Sequence, residues 1–340
     1  MSNETGRWSG FVPSTCWRLA LPIAAGARLA LLAGAVAAGA SAARAGDVAE
    51  LRVVATIKPV HALVAAVMEG VARPSVLISG NASPHTFSLK PSEARTLARA
   101  DVIFRVSGDL EPFTVGLARS LPRRVSMISL ADAPGMVRLP RRTGKGFERH
   151  DHGHGHGGHR GHAVPEGDTP DPHVWLDPEN ARAMVRAIVA ALSDRAPAHA
   201  DRFAANGRRL DASLAALGSE LDAKLAPFAK MPLIVFHDAY QYLEHRYGLT
   251  VIGSITVNPE VAPSARRLHE LRSRISREHV ACILSEPQFS ARIVAAVIEG
   301  SRVRSGVLDP VGGMLPAGPE HYHRTLRAMA QAIAGCRVDG

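Results

Sequence analysis

The sequence predicts an α/β protein with two parallel-sheet lobes joined by one long α-helix. Three observations predict it. Strand-like and helix-like stretches alternate from residue 51 to about 130. The composition then breaks into a polar, glycine- and histidine-rich run. Beyond two long helical stretches the alternation resumes to the C-terminus. Repeated strand–helix alternation is the signature of parallel sheets covered by helices.

The first 45 residues are set apart. Arg28 to Ala45 holds an apolar run of about a dozen residues, short for a membrane span, and ends in Ala43-Arg44-Ala45, a small-x-small cleavage pattern. Residues 1–45 are therefore expected to be a signal peptide. Cys16 lies before the apolar run, not after it, which argues against lipid anchoring.

The first lobe is expected over 46–197. "LRVVATI" reads as a strand and "PVHALVAAVMEG" as a helix with Pro59 in its first turn. "SVLISG", "DVIFRVSG" and "RVSMISL" follow as strands, with "PSEARTLARA" as a helix. Residues 139–171 are nearly without apolar side chains and are expected to be a disordered loop. "PENARAMVRAIVAALSDR" is an amphipathic helix. A joining helix is expected over 198–228, although Gly207 and Gly218 weaken its claim to be straight. The second lobe, 229–340, runs "PLIVF", "DAYQYLEHRYG", "LTVIGSI", "SARRLHELRSRIS", "ACILSE", "ARIVAAVIEG", "VRSGVL" and a last helix from about Pro319. Both lobes are Rossmann-like in this pattern.

Composition narrows the function. Hydrophobic residues make 46% of the chain and charged residues 21%. Formal charge is +9. Removing Arg7, Arg18, Arg28, Arg44 and Glu4 with the signal leaves +6. The remaining basic residues are scattered, with no run interleaved with aromatics, so nucleic acid is not an expected partner. Two cysteines, Cys282 and Cys336, survive processing. In an oxidising compartment they are expected to pair.

Ligands of parallel α/β folds bind beyond the carboxyl ends of strands. "PLIVF" ends in His237-Asp238, "VRSGVL" is followed by Asp309, and "SVLISG" leads into a loop holding His85. His173 stands just before a helix. Three imidazoles and one carboxylate from both lobes would make a four-coordinate zinc site in the cleft. Manganese and magnesium prefer more oxygen. Arg149 to His162 holds six further histidines, His150, His152, His154, His156, His159 and His162. Intervening glycines leave that backbone free, so these are expected to bind metal weakly and interchangeably.

The stretches "SPHTFSLKPS", "HVWLDPENAR", "VFHDAYQYLEHRYGL", "SEPQF" and "GVLDPVG" resemble the zinc-binding periplasmic components of ABC importers, the ZnuA family. The resemblance covers essentially the whole mature chain. It implies a protein that captures Zn²⁺ in the periplasm, as a monomer, and delivers it to a membrane permease driven by a cytoplasmic ATPase. Zinc metallochaperones are further partners of this reading. It implies His85, His173 and His237 as ligands, with Asp309 or a water as the fourth. It also places a disulfide at Cys282 and Cys336, and a His-rich accessory loop at 149–162. Glu286 and Asp238 are expected to orient ligands, and His61 to support the cleft. Manganese-binding relatives of the scaffold carry a glutamate at the third position, where this chain has His237. The rival from another class is a zinc hydrolase with Glu286 as its base. No H-E-x-x-H motif supports it.

Overall fold

The structure is a computed structural model that describes residues 51–142, 144, 146–147, 169–256 and 263–336. The proposed signal and the histidines His150, His152, His154, His156, His159 and His162 lie outside the described residues.

In the first lobe, β1 (Val53–Ile57), β2 (Ser75–Ile78), β3 (Val102–Arg105) and β4 (Ser126–Ser129) form one sheet in the order β2-β1-β3-β4. All its pairings are parallel. Its helices are α1 (Lys58–Val67), α2 (Pro91–Arg99) and α3 (Phe113–Ser120). β1, read as VVATI, is buried along its whole length, as a central strand covered on both faces must be. The sequence pattern did not reveal α3, which is only 8 residues long and interrupted by Gly116.

Two long helices follow, α4 (Pro178–Arg195) and α5 (Ala200–Leu225). Asp177 starts α4 by accepting from Glu179 N, with Pro178 in the first turn. α5 is one unbroken helix of 26 residues, about 39 Å at 1.5 Å per residue. Gly207 does not bend it. A Cβ there would lie 2.5 Å from Val189 Cγ2, so glycine is what lets α5 lie close against α4.

The second lobe repeats the plan. β5 (Pro232–His237), β6 (Thr250–Thr256), β7 (Cys282–Ser285) and β8 (Arg304–Val307) run parallel in the order β6-β5-β7-β8. The helices are α6 (Gln241–Tyr247), α7 (Ala265–Arg277), α8 (Ala291–Ile298) and α9 (His321–Ala334). α9 packs on both α1 and α5, so the last helix of the chain lies against the first lobe. Cys336, just after α9, is bonded to Cys282 in β7.

One apolar core runs through both lobes. It includes Leu63, Trp175, Leu214, Leu217, Tyr240 and Tyr322, all 1% exposed or less. Polar ties cross the same region. Trp175 Nε1 donates to Pro310 O at 2.8 Å, and Tyr322 Oη to Trp175 O at 2.7 Å. The buried Lys58 Nζ, at the start of α1, donates to Gly313 O (2.6 Å) and Leu315 O (3.0 Å). Such a joint favours small relative movements of the lobes over wide opening.

Within the run expected to be a loop, residues 139–171, Asp171 N donates to Leu139 O at 2.8 Å and Arg141 N to Thr169 O at 3.1 Å. Buried or half-buried amides need partners, and these segments supply them to each other. Among the described residues, no helix is long and apolar enough to cross a membrane.

Candidate metal centre

Three of the four predicted ligands come together. His237 is the last residue of β5, His173 precedes the short turn Val174–Leu176 that leads into α4, and His85 lies in the loop after β2. Among the described residues they form the only group of three or more His, Cys, Asp or Glu side chains able to hold a metal, with ligand atoms all within 4.8 Å. His173 and His237 are each 5% exposed. They line a narrow cleft with His85, Trp175, Glu286 and Gln288.

Hydrogen bonds fix which nitrogens face the cleft. His173 Nδ1 lies 2.7 Å from Asp171 Oδ1, and His237 Nδ1 lies 2.5 Å from Glu286 Oε1. A carboxylate only accepts, so each Nδ1 carries the proton and each Nε2 presents a lone pair. His85 Nε2 is 3.3 Å and His237 Nε2 3.4 Å from His173 Nε2. Lone pairs that converge this closely repel one another unless a cation or a proton lies between them. A tetrahedral zinc with ligands at about 2.0–2.1 Å sets neighbouring nitrogens about 3.3–3.4 Å apart. The two separations match.

The electrostatics agree. Burial, reinforced by His173, His237 and Arg141, lowers the His85 pKa to about 2. Burial and the neighbouring His237 hold His173 well below its ordinary value. Both are therefore neutral ligands at pH 7. His237 differs. Burial pulls it down, but the charge and hydrogen bond of Glu286 outweigh burial and leave it raised. Burial lifts Asp171 to about 6, against the hydrogen bond from His173 N, so it is mostly ionised at pH 7.

Zinc must then displace the His237 proton wherever that imidazole is protonated. Below the raised pKa, binding releases this proton. Above it, nothing is left to displace. Zinc affinity is expected to rise as pH rises through that value and then level off. Calorimetry in buffers of different ionisation enthalpy will count more protons released below that value than above it. A proton count independent of pH would contradict this assignment.

Among the described residues, Asp309 is not part of the histidine group. Its Oδ1 accepts from Val311 N (3.1 Å), Gly312 N (3.0 Å) and Gln288 Nε2 (2.8 Å), and its Oδ2 from Gly313 N (2.7 Å). A carboxylate offers about four acceptor sites. These are already used in shaping the turn after β8. Sequence position alone could not show that.

The predicted supporting residues divide. Glu286, 3% exposed, is the hydrogen-bond partner of His237 Nδ1. Asp238 instead pairs with Arg142, which also holds Glu244. His61 is not among the residues lining the cleft, and its Nε2 contacts Pro74 O at 3.1 Å. Asp171 was missed, although an acid two residues before His173 was a legible signal. Glu286→Ala and Asp171→Ala are each expected to weaken zinc by about 10–100-fold, the usual effect of removing a carboxylate behind a ligand histidine. Competition against a chromogenic chelator will read this. Unchanged affinity in both would contradict the orienting role.

Comparison with known proteins accords with this geometry. Residues 53–336 match the family model described as zinc-uptake complex component A, periplasmic. The high-affinity zinc uptake system protein ZnuA of Brucella abortus (strain 2308) is 38% identical over 303 residues, covering 84% of this chain and 91% of the relative. A crystal structure of ZnuA aligns with a TM-score of 0.69 at 25% identity, over 84% of this chain and 98% of that one. The periplasmic zinc binding protein TroA from Treponema pallidum shares the fold, with a TM-score of 0.71 at 21% identity over 84% of this chain and 99% of its own. With this match spanning almost all the described residues, the chain belongs to the ZnuA family of zinc-uptake components.

Proposed function

We propose that this chain is exported by its N-terminal segment, captures Zn²⁺ in the periplasm through His85, His173 and His237, and hands it to a membrane permease coupled to a cytoplasmic ATPase. The convergence of three imidazole Nε2 atoms, two of them fixed by buried carboxylates, carries this reading. An all-nitrogen donor set suits zinc better than manganese, which favours oxygen. The relatives' role in high-affinity zinc uptake supports the same assignment. We assign the first lobe to 46–197, the joining helix to 198–228 and the second lobe to 229–340. The monomeric state belongs to the same proposal.

A carrier reading fits the site better than a hydrolase. Hydrolysis needs a general base beside an open metal position. Glu286, the base the sequence offered, is engaged by His237 Nδ1. The six histidines of 149–162 are assigned a weak collecting role ahead of the cleft.

Calorimetric titration of the metal-free mature protein with zinc tests this. A variant lacking 148–168 is expected to keep one tight site with unchanged affinity and to lose only weak binding. Loss of the tight site with the loop would move the centre out of the cleft and overturn the proposal.

A further inference from the structure

The described residues of 137–147 precede α4 in the chain, yet most of their polar partners belong to the second lobe. Val137 is fixed to α4, where its N–H donates to Asn180 Oδ1 at 2.8 Å. Beyond it the partners change sides. Leu139 N donates to Tyr242 Oη at 3.0 Å, and Pro140 O accepts from Gln241 Nε2 at 2.8 Å, both on α6. Arg142 forks onto Glu244 of α6 through Nη1 and Nη2, each at 2.7 Å, and onto Asp238 through Nε at 3.1 Å. Its guanidinium carbon stands 4.0 Å from the ring centroid of the buried Phe147. Gly146 O accepts from Ser254 N of β6 at 3.1 Å and from Arg267 Nη2 of α7 at 2.7 Å.

Two of these anchors adjoin the groups around the histidines. Tyr242 Oη accepts from Leu139 N and donates to Asp171 O at 3.0 Å, and Asp171 is the carboxylate behind His173. Asp238 follows His237 in the chain and shares Arg142 with Glu244. Without the guanidinium, two carboxylates would repel each other at the exit of β5. The far end demands glycine. Gly146 has a φ of +97°, and a Cβ there would stand 2.5 Å from Ile252 O. A segment anchored on both lobes resists their separation, because opening must break charge-assisted hydrogen bonds. We propose that 137–147 is a strap between the lobes that slows the release of zinc, with Arg142 as the positioning residue that ties it to the turn after β5. This deepens the carrier reading and rests on the three-histidine assignment. The strap governs how fast zinc leaves, not which groups hold it.

The test is stopped-flow release of zinc from the full mature chain into excess chelator, with the association rate measured beside it. Release is expected to be about 5–10-fold faster in Arg142→Ala and in Gly146→Ala, the lower end of typical coupling between sites. The association rate should change less. Gly146→Ala alters no charge, and neither β6 nor α7 lines the cleft, so faster release there reports the strap itself. The double variant should release zinc little faster than either single one, because both unseat one segment. Arg142→Lys should fall between wild type and Arg142→Ala, since an ammonium lacks the fork that spans two carboxylates. It also serves if Arg142→Ala does not fold. Arg182→Ala breaks an ion pair between α4 and α5 at Asp211 and is the control, expected to release zinc at the wild-type rate.

Wild-type release in both Arg142→Ala and Gly146→Ala would overturn the proposal. So would faster release in Arg142→Ala alone, which would confine the effect to Asp238 and leave the strap without a role. Equal acceleration in Arg182→Ala would reduce the effect to general loss of stability and overturn it as well. His237→Ala is measured in the same series. If it binds zinc normally, the three-histidine assignment itself has failed. If it loses zinc while the strap variants release at the wild-type rate, only the present inference has failed.

Discussion

His237→Ala is expected to abolish tight zinc binding while leaving the chain folded. The side chain supplies one of the three histidine nitrogens that converge in the cleft. Losing an outer partner of a ligand typically costs about 10–100-fold. Losing the ligand itself should exceed that range. The readout is twofold. Calorimetry will show the tight phase gone, and zinc will no longer raise the melting temperature. In the wild type, free zinc at about 1,000 times its dissociation constant stabilises the fold by about 4 kcal/mol. The variant should lose nearly all of this. His237→Ala also deprives the buried Glu286 of its donor, so part of any change in the metal-free protein will be structural. His85→Ala is the companion, because it leaves both carboxylate–imidazole pairs intact. Tight binding that survives in both variants would remove the centre from the cleft.

Breaking the Cys282–Cys336 bond is expected to lower the stability of the metal-free protein by about 4 kcal/mol. The bond closes a loop with a sequence separation of 54, and loop-closure entropy of the unfolded chain sets that scale. The structural consequence is specific. Cys282 opens β7, next to β5, and Cys336 follows α9. The bond therefore holds α9 to its own sheet, while α9 also packs on α1 and α5. Cys282→Ser with Cys336→Ser should shift the urea midpoint down with little change in zinc affinity, since none of the three histidines sits on β7 or α9. An unchanged midpoint would mean that packing alone secures the helix. Parallel loss of zinc affinity would show that the placement of α9 governs the cleft.

Much of the fold was legible because local periodicity encodes elements. The eight strands of the described residues announced themselves as short apolar runs ending in turn residues. The bounds of α4 were readable from Asp177-Pro178 at its start and Pro197 beyond its end. α3 was not legible, because eight residues around Gly116 carry too little period to stand out. Gly207 was read as a weakness in α5. Its true reason is Val189 on the neighbouring helix, which sequence spacing does not place there.

The candidate site divides the same way. His85 and His237 could be chosen because strand ends of parallel sheets face the binding crevice, and His173 because it stands just before a helix where the polar run closes. Cys282 and Cys336 could be paired because an exported chain has reason to pair them. Asp309 stood at an equally good strand end, yet its oxygens are taken by the amides of Val311, Gly312 and Gly313 and by Gln288. Asp238 adjoined a ligand in sequence, yet it turns to Arg142. By itself the sequence determined the elements, the order of the lobes and which residue types could bind a metal. Only the tertiary structure decided which lone pairs remain available. Every donor and acceptor can be used once, and its competitors come from parts of the chain that local pattern does not see.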